Sequence, residues 1–148
     1  MSMPVVIGSD HAGFPLKKFL IETMPSIQWE DEGCYSLDSV DYPAIAKKVA
    51  MKVAAIKGRG ILICGSGIGV SIAANKIPSI RAALVWDVTS ARLSREHNDA
   101  NILCLGGRLI GSEVAKEICS VWLATSFLKG RHEGRLQLIT EMEGACTK

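Results

Sequence analysis

The 148-residue chain has little net charge, few aromatic side chains and no long apolar run. Its formal net charge is only +2, and aromatic residues make up 5% of it. A protein that binds nucleic acid generally needs a concentrated basic face, so no nucleic-acid partner is expected. No apolar stretch approaches the roughly 18 residues of a membrane-spanning helix, and a signal-peptide pattern is missing at the start, so no membrane partner is expected.

The sequence also lacks the paired motifs that hold metals or disulfides. It has five cysteines, with neither a CxxC nor an HxxxH spacing. A metal site is therefore not expected, and the odd number indicates free thiols in a reducing compartment. These features together predict a soluble cytoplasmic protein. Four of the cysteines are interpreted as small apolar or surface residues: Cys34, Cys104, Cys119 and Cys146.

Short apolar segments alternate with amphipathic ones along the whole chain. The apolar segments are predicted to be five strands, at 4–9, 27–33, 60–64, 80–86 and 101–107. The amphipathic segments are predicted to be six helices, at 13–24, 41–58, 69–76, 89–98, 111–125 and 131–143. In the second helix Ile45, Val49 and Val53 share one face, and Gly58 is expected to end it.

This alternation favours an α/β protein with a parallel sheet and helices on both faces. We predict a single domain over residues 1–148, because no linker, repeat or low-complexity segment interrupts the pattern. In such sheets ligands bind beyond the carboxyl ends of the strands. The loops that follow the strands are therefore the candidate functional segments.

The stretch GILICGSGIG, residues 60–69, runs a strand into a cysteine and a cluster of glycines. A dinucleotide fingerprint fits in part: Gly65 and Gly67 match, Val70 does not, and Asp87 follows at the acidic position about 20 residues on. A Walker loop is excluded, because it needs a lysine that is missing. The favoured interpretation is a small phosphate or enediolate site, where glycines let backbone N–H groups approach an anion.

Cys64 ends this strand, directly before the glycine loop. A cysteine there could simply fill space in the core. Neighbouring backbone N–H groups, however, favour the thiolate, which is usable as a base or nucleophile. On spacing alone the two interpretations stay open.

Histidines and arginines offer further candidates. His11 follows the first strand, and His97 could reach the ligand edge if its helix folds back over it. Neutral imidazoles near pH 7 suit proton transfer. Arg131 and Arg135, four residues apart, share a helix face and could clamp a phosphate or simply be solvated, whereas Arg108 follows the fifth strand directly.

Six ordered motifs, spanning about residues 4–143, resemble the ribose-5-phosphate isomerase B family, in the group that includes the galactose-6-phosphate isomerase subunits. The motifs are GSDHAG (8–13), DYP (41–43), CGSGIGVSIAANK (64–76), IRAAL (80–84), SREHNDANILCLGGR (94–108) and GRHEGR (130–135). The resemblance implies a three-layer α/β/α Rossmann-like domain with a five-stranded, mostly parallel sheet, whose C-terminal helix packs on a partner subunit. It also implies a homodimer, sometimes paired into a homotetramer. The implied activity is the interconversion of ribose 5-phosphate and ribulose 5-phosphate in the pentose phosphate pathway, without a metal or other cofactor.

The resemblance also implies roles for individual residues. Cys64 corresponds to the base that moves a proton between C2 and C1, Ser66 keeps the hydroxyl of a frequent threonine, and His97 corresponds to the group that opens the furanose ring. In the family, backbone N–H groups of the loop stabilise the enediolate, and the corresponding residues here are Gly65, Gly67, Ile68 and Gly69. The remaining substrate-binding positions correspond to Asp10, Tyr42 and Asn98 for the sugar and to His11, Arg108, Arg131 and Arg135 for the phosphate. The last two arginines are expected to reach across a dimer interface.

Other functions stay open on sequence. Pocket depth, which one sequence does not show, would decide between the pentose and a six-carbon sugar phosphate such as allose 6-phosphate or galactose 6-phosphate. A nucleotide-binding module that uses Asp87 on a ribose belongs to a different class. A catalytically silent binding protein is disfavoured, because Cys64, His97 and Arg131 are all present.

Overall fold

The computed structural model describes residues 2–145, which form one five-stranded sheet between helices. The strands are β1 (Val5–Ser9), β2 (Trp29–Asp31), β3 (Arg59–Cys64), β4 (Ala82–Leu84) and β5 (Ile102–Gly106). The helices are α1 (Phe14–Thr23), α2 (Tyr42–Ile56), α3 (Ile68–Ala74), α4 (Val88–Glu96), α5 (Ser112–Ala124) and α6 (Arg131–Ala145). The expected α/β architecture is confirmed.

The strand order is β2-β1-β3-β5-β4, and every pairing is parallel. The sheet is thus wholly rather than mostly parallel. The chain moves outward from β1 to β2 and then returns to β3 on the other side of β1. This reversal opens a crevice at the carboxyl ends of β1 and β3, where ligands bind in such sheets.

The pleat of the sheet divides the core into two layers. On β3, Ile61 and Ile63 pack with α1, α4 and α5, while Leu62 and Cys64 pack with α2 and α3. Helix α6 touches the rest of the chain mainly through His132 and Leu136, its only buried side chains among the described residues. Cys64 therefore faces the α2/α3 layer.

The predicted edge strands were too long. Strands β2 and β4 have three residues each, and each pairs with a single neighbour. Around β4 the hydrogen bonds change partner, because the N–H of Arg81 donates to the side chain of Asn101 (2.8 Å) instead of extending the ladder. A short edge presents few unpaired backbone groups to other chains.

The end of α2 also differs from the prediction. Lys57, not Gly58, takes the left-handed conformation that closes the helix, with φ of 51°. Gly58 is needed for close packing, because a Cβ there would lie 2.8 Å from the side chains of Ile56 and Met3. Cys34, Cys104 and Cys119 are buried free thiols, whereas Cys146 lies outside the described residues.

Candidate active site

Cys64 lies at the carboxyl end of β3, at the bottom of the loop that leads into α3. Its side chain is buried, with 4% exposed, and its Sγ accepts a hydrogen bond of 3.1 Å from the backbone N–H of Gly67. Cys64 still lines an open cavity. A thiol that receives a backbone hydrogen bond and reaches a cavity is placed to act as a thiolate base.

The glycine loop is held in shape by close contacts that only glycines allow. Gly67 has φ of 79°, and a Cβ on it would lie 2.6 Å from Leu84 Cδ1 and 2.8 Å from the backbone of Leu105. The N–H of Ile68 donates to Ser66 Oγ at 3.2 Å. Two of the five loop amides, those of Gly67 and Ile68, are therefore engaged by side chains of the loop itself.

The cavity above Cys64 has a volume of about 590 Å³. It is lined by Asp10, Tyr42, Cys64, Gly65, Ser66, Ile68, Gly69, Ile72, Arg108 and Leu109. Eight of these are residues predicted from the sequence, and they come from the ends of β1, β3 and β5 and the start of α2. For this group, the residues thus lie where we expected them, beyond the carboxyl ends of the strands.

Two side chains pack against the glycines on the cavity rim. The Tyr42 ring lies on Gly69, where a Cβ would come within 2.8 Å of the tyrosine hydroxyl oxygen. The Arg108 guanidinium lies near Gly65, 3.5 Å from the position that a Cβ would occupy. A phenol and an exposed guanidinium thus border the thiol, one able to contact a sugar hydroxyl and the other an anion.

Asp10 and His11 organise the loop after β1. Asp10 is buried, with 6% exposed, and its Oδ1 accepts the N–H of Gly13 at 2.9 Å. His11 Nδ1 accepts the N–H of Val40 at 3.2 Å, which leaves the proton of a neutral ring on Nε2. His11 therefore fixes the segment that leads to Tyr42, and it stands beside the cavity without lining it.

The other predicted residues lie at the opposite end of the sheet. Helix α4 starts after the carboxyl end of β4 and runs back, so that His97 caps its far end. The carbonyl of Asn98 accepts from Nε of Arg81 at 2.9 Å, and Arg81 directly precedes β4. His97 was predicted to reach the ligand edge only if its helix folded back over that edge. Within one chain, the helix instead returns the chain to the amino end of β5.

Within one chain, therefore, the predicted residues form two groups. The first surrounds Cys64, and the second contains His97, Asn98, Arg131 and Arg135. In the second group, the two arginines are exposed on α6. The structure does not bring this second group to the Cys64 cavity of the same chain.

His97 is paired with His132, for which no role was predicted. Its ring stacks on that of buried His132, with centroids 4.4 Å apart and planes 17° from parallel. Burial lowers the pKa of His132, and the nearby charges of His97, Arg131 and Arg135 lower it further. The pair joins the end of α4 to the first turn of α6.

Sequence reasoning also missed Ile72 and Leu109, which give the cavity its apolar wall. Ile72 is one helical turn after Ile68, so the i, i+4 spacing could have identified it. Leu109 follows Arg108 directly, but nothing in the sequence marks its direction.

Among residues 2–145, no cluster of three or more His, Cys, Asp or Glu side chains is arranged to hold a metal ion. Over the same residues, no helix has the length and apolar character needed to cross a membrane.

The chain is similar in sequence to proteins named as sugar-phosphate isomerases. The chain is 43% identical over 143 residues to ribose-5-phosphate isomerase B of Escherichia coli, covering 94% of this chain and 95% of that protein. A putative sugar phosphate isomerase of Bacillus subtilis, YwlF, is 49% identical over 145 residues, covering 95% and 97% of the two chains.

Solved structures share the fold over nearly the full length. Ribose-5-phosphate isomerase B of Clostridium thermocellum superposes with a TM-score of 0.95 at 45% identity, covering 98% of this chain and all of the other. The Mycoplasma genitalium enzyme, solved with bound ribulose 5-phosphate, gives a TM-score of 0.92 at 39% identity, with 97% and 98% covered. A family model described as ribose/galactose isomerase matches residues 5–139, and the chain therefore belongs to the ribose/galactose isomerase family.

Proposed function

We propose that this protein is an aldose–ketose isomerase that interconverts D-ribose 5-phosphate and D-ribulose 5-phosphate. The observation that carries the proposal is the position of Cys64. Its thiol accepts the Gly67 N–H and opens into a cavity bordered by a hydroxyl, a phenol and a guanidinium. The activity named for the E. coli and C. thermocellum relatives supports the same assignment.

The reaction needs a proton to move between neighbouring carbons of an open-chain sugar. Cys64, as a thiolate, removes the proton from C2 and returns it at C1, while the electron pair passes to the carbonyl oxygen to form an enediolate. Ser66 Oγ and the loop from Gly65 to Gly69 are proposed to contact the O1 and O2 oxygens. Donors placed where an oxyanion develops are commonly worth on the order of 100- to 1,000-fold in rate.

The cyclic sugar must open first, because it has no carbonyl to acidify the proton on C2. His97 is proposed to transfer the proton that opens the furanose ring. Asp10, Tyr42 and Asn98 are proposed to hold the sugar hydroxyls. The phosphate is proposed to be held by His11, Arg108, Arg131 and Arg135.

The separation of these residues within one chain supports a homodimer as the working unit. His97, Asn98 and the α6 arginines lie at the amino end of the sheet, while Cys64 lies at the carboxyl end. A second copy, related by a two-fold axis, would bring its own His97 group to the first copy's Cys64 cavity, and the reverse contact would complete a second site. In this arrangement α6 packs on the partner, and two dimers could pair into a tetramer.

The alternatives have less support. Named relatives act on the pentose, so the six-carbon substrates come second. Asp87 caps α4, since its Oδ1 accepts the N–H of Ser90 at 2.6 Å, and this local role accounts for it without a nucleotide. Cytoplasmic location is proposed because the four described cysteines are free thiols.

The first test is a coupled assay of the purified protein with ribose 5-phosphate and with allose 6-phosphate, each with and without EDTA. We expect EDTA-resistant turnover that strongly prefers the pentose. Preference for the hexose would move the assignment to a sister activity with the same chemistry. No turnover of either sugar would contradict the proposal.

A further inference from the structure

A second cavity, of about 820 Å³, lies at the end of the sheet opposite to Cys64. Its walls include residues that precede or begin the strands: Val5, Gln28, Arg59, Arg81 and Asn101. Strands β1 and β3 contain five and six residues. At about 3.3 Å per residue, these strands place the cavity roughly 17–20 Å from the glycine loop of the same chain, so it is separate from that chain's Cys64 cavity.

The walls of this cavity carry an excess of positive charge. Four cationic side chains line it, and Asp99 supplies the only carboxylate among the lining residues. That carboxylate is already shared, because Oδ2 pairs with Arg81 Nη2 at 3.2 Å and Oδ1 pairs with Arg95 Nη1 at 2.8 Å. The cations are Lys57, Arg59, Arg81 and Arg95.

Arg59 is the least compensated of the three arginines. Among the described residues no carboxylate lies within ion-pair distance of it. Its guanidinium and that of Arg95 each lie 5.7 Å from the ring centroid of Trp122, so two like charges border one aromatic ring. Partial burial lowers the pKa of Arg59, and the charge of Arg95 lowers it further.

Two of these cations donate hydrogen bonds to carbonyl groups at the C-terminal end of α5. Arg59 Nη1 donates to the carbonyl of Leu123 at 2.7 Å, and Arg95 Nε donates to the carbonyl of Thr125 at 3.2 Å. Cations at a helix C-terminus are stabilised by its carbonyl groups. These contacts use one nitrogen of Arg59, and within residues 2–145 no acceptor is found for its Nε and Nη2 or for Lys57 Nζ. Donors and positive charge therefore remain for a ligand.

We propose that this cavity binds a phosphate dianion, either inorganic phosphate or the phosphate group of a small ester. Guanidinium groups present paired N–H donors that match phosphate oxygens. Asp99 already offsets part of the repulsion between Arg59 and Arg95, and a dianion would offset more of the remainder than a monoanion would. Within one chain, the cavity lies far enough from the glycine loop for both to be occupied together.

The test is a calorimetric titration with inorganic phosphate and, separately, with glycerol 3-phosphate, on the full chain and on Lys57→Asn. Lys57 is exposed and left-handed, a conformation that asparagine tolerates, so the variant should fold. Lys18→Gln, which removes an equal charge from the exposed face of α1, is the control. Phosphate inhibition of the isomerase reports the catalytic site independently.

We expect Lys57→Asn to weaken one phosphate site by roughly tenfold or more, as is usual when a charge-assisted contact is lost. Inhibition of the isomerase should be unchanged, and Lys18→Gln should bind like the unmodified protein. Stronger binding of the ester than of phosphate would identify an ester site, and the reverse would identify a phosphate site. Identical titrations of Lys57→Asn and the unmodified protein would overturn the proposal and leave these cations as caps of α5.

Discussion

At the scale of single residues, we propose that the chemistry depends on Cys64 and the hydrogen bond to its sulfur. We expect Cys64→Ala to lower the isomerisation rate by on the order of 100- to 10,000-fold, as general-base removal does. Steady-state assays with ribose 5-phosphate would measure the loss. Cys119→Ala is a matched control, since it deletes a fully buried thiol from the opposite core layer. Full activity of Cys64→Ala would refute the assignment of the base.

Thiol chemistry should distinguish Cys64 from Cys104 and Cys119. Burial raises the pKa of Cys119 to about 12 and also raises that of Cys104, so neither forms a thiolate near neutral pH. We expect iodoacetamide to modify Cys64 before either of them and to abolish activity, with substrate giving protection. Mass spectrometry of the protein at partial inactivation would identify the modified residue. Inactivation with Cys64 unmodified would contradict the expectation.

The His132 side chain should make the native state sensitive to mild acid. Its pKa is lowered in the folded protein, so below the unfolded value of 6.5 the unfolded chain binds more protons. The contribution of neutral His132 to the free energy of unfolding is therefore present above this pH, and it is lost as the pH falls toward the folded pKa. Urea unfolding at pH 7.5 and 5.5 should show a smaller loss for His132→Asn than for the unmodified protein. Equal losses would show that other groups control the acid response.

At the scale of elements, α2 and the glycine loop meet where Tyr42 lies on Gly69. A methyl group at Gly69 would come within 2.6 Å of Tyr42 Cε2. Tyr42 is 38% exposed, so we expect the ring to swing outward in Gly69→Ala at a stability cost below about 1 kcal/mol. The main effect of Gly69→Ala should instead be a change in the KM for ribose 5-phosphate. Gly111→Ala is the control, because nothing lies within 4 Å of its added Cβ. An unchanged KM would mean that Tyr42 does not contact the substrate.

The spacing of apolar residues predicted which strands and helices form better than it predicted where they begin and end. The apolar run at β3 and the face of Val49 and Val53 on α2 predict buried elements directly. The length of β4 was missed because its hydrogen bonds depend on the Asn101 side chain, 20 residues away. The closing position of α2 was missed because Lys57 adopts a conformation that its sequence does not favour.

At the scale of the whole molecule, one part of the candidate site could be predicted from the sequence and the other part could not. The residues around Cys64 follow strands, so strand order alone places them at one edge. His97 follows a helix, and its distance from Cys64 depends on the direction in which α4 returns. No pattern in the sequence reveals the stacking of His97 on His132, since it arises from the docking of α6.

A shared site makes a prediction about mixtures of two inactive variants. If Cys64 of one copy acts with His97 of the other, a dimer of Cys64→Ala and His97→Asn contains one intact site. Random pairing should then restore about a quarter of the full activity on cyclic substrate. Assays after co-refolding of the two variants would measure it. Each variant refolded alone is the control, and the absence of recovery would place both residues in the same subunit's site.

The strand order also sets the sequence of events during synthesis. Strand β4 has β5 as its only partner, yet β5 is made later and must enter between β3 and β4. The glycine loop packs on Leu84 and Leu105, so it has no complete support until β5 has left the ribosome. A chain that stops before Asn101 should show unprotected amides at Ala82–Leu84 in hydrogen exchange. The nascent chain thus carries Cys64 for about 40 residues of elongation before the surrounding loop can take its final shape.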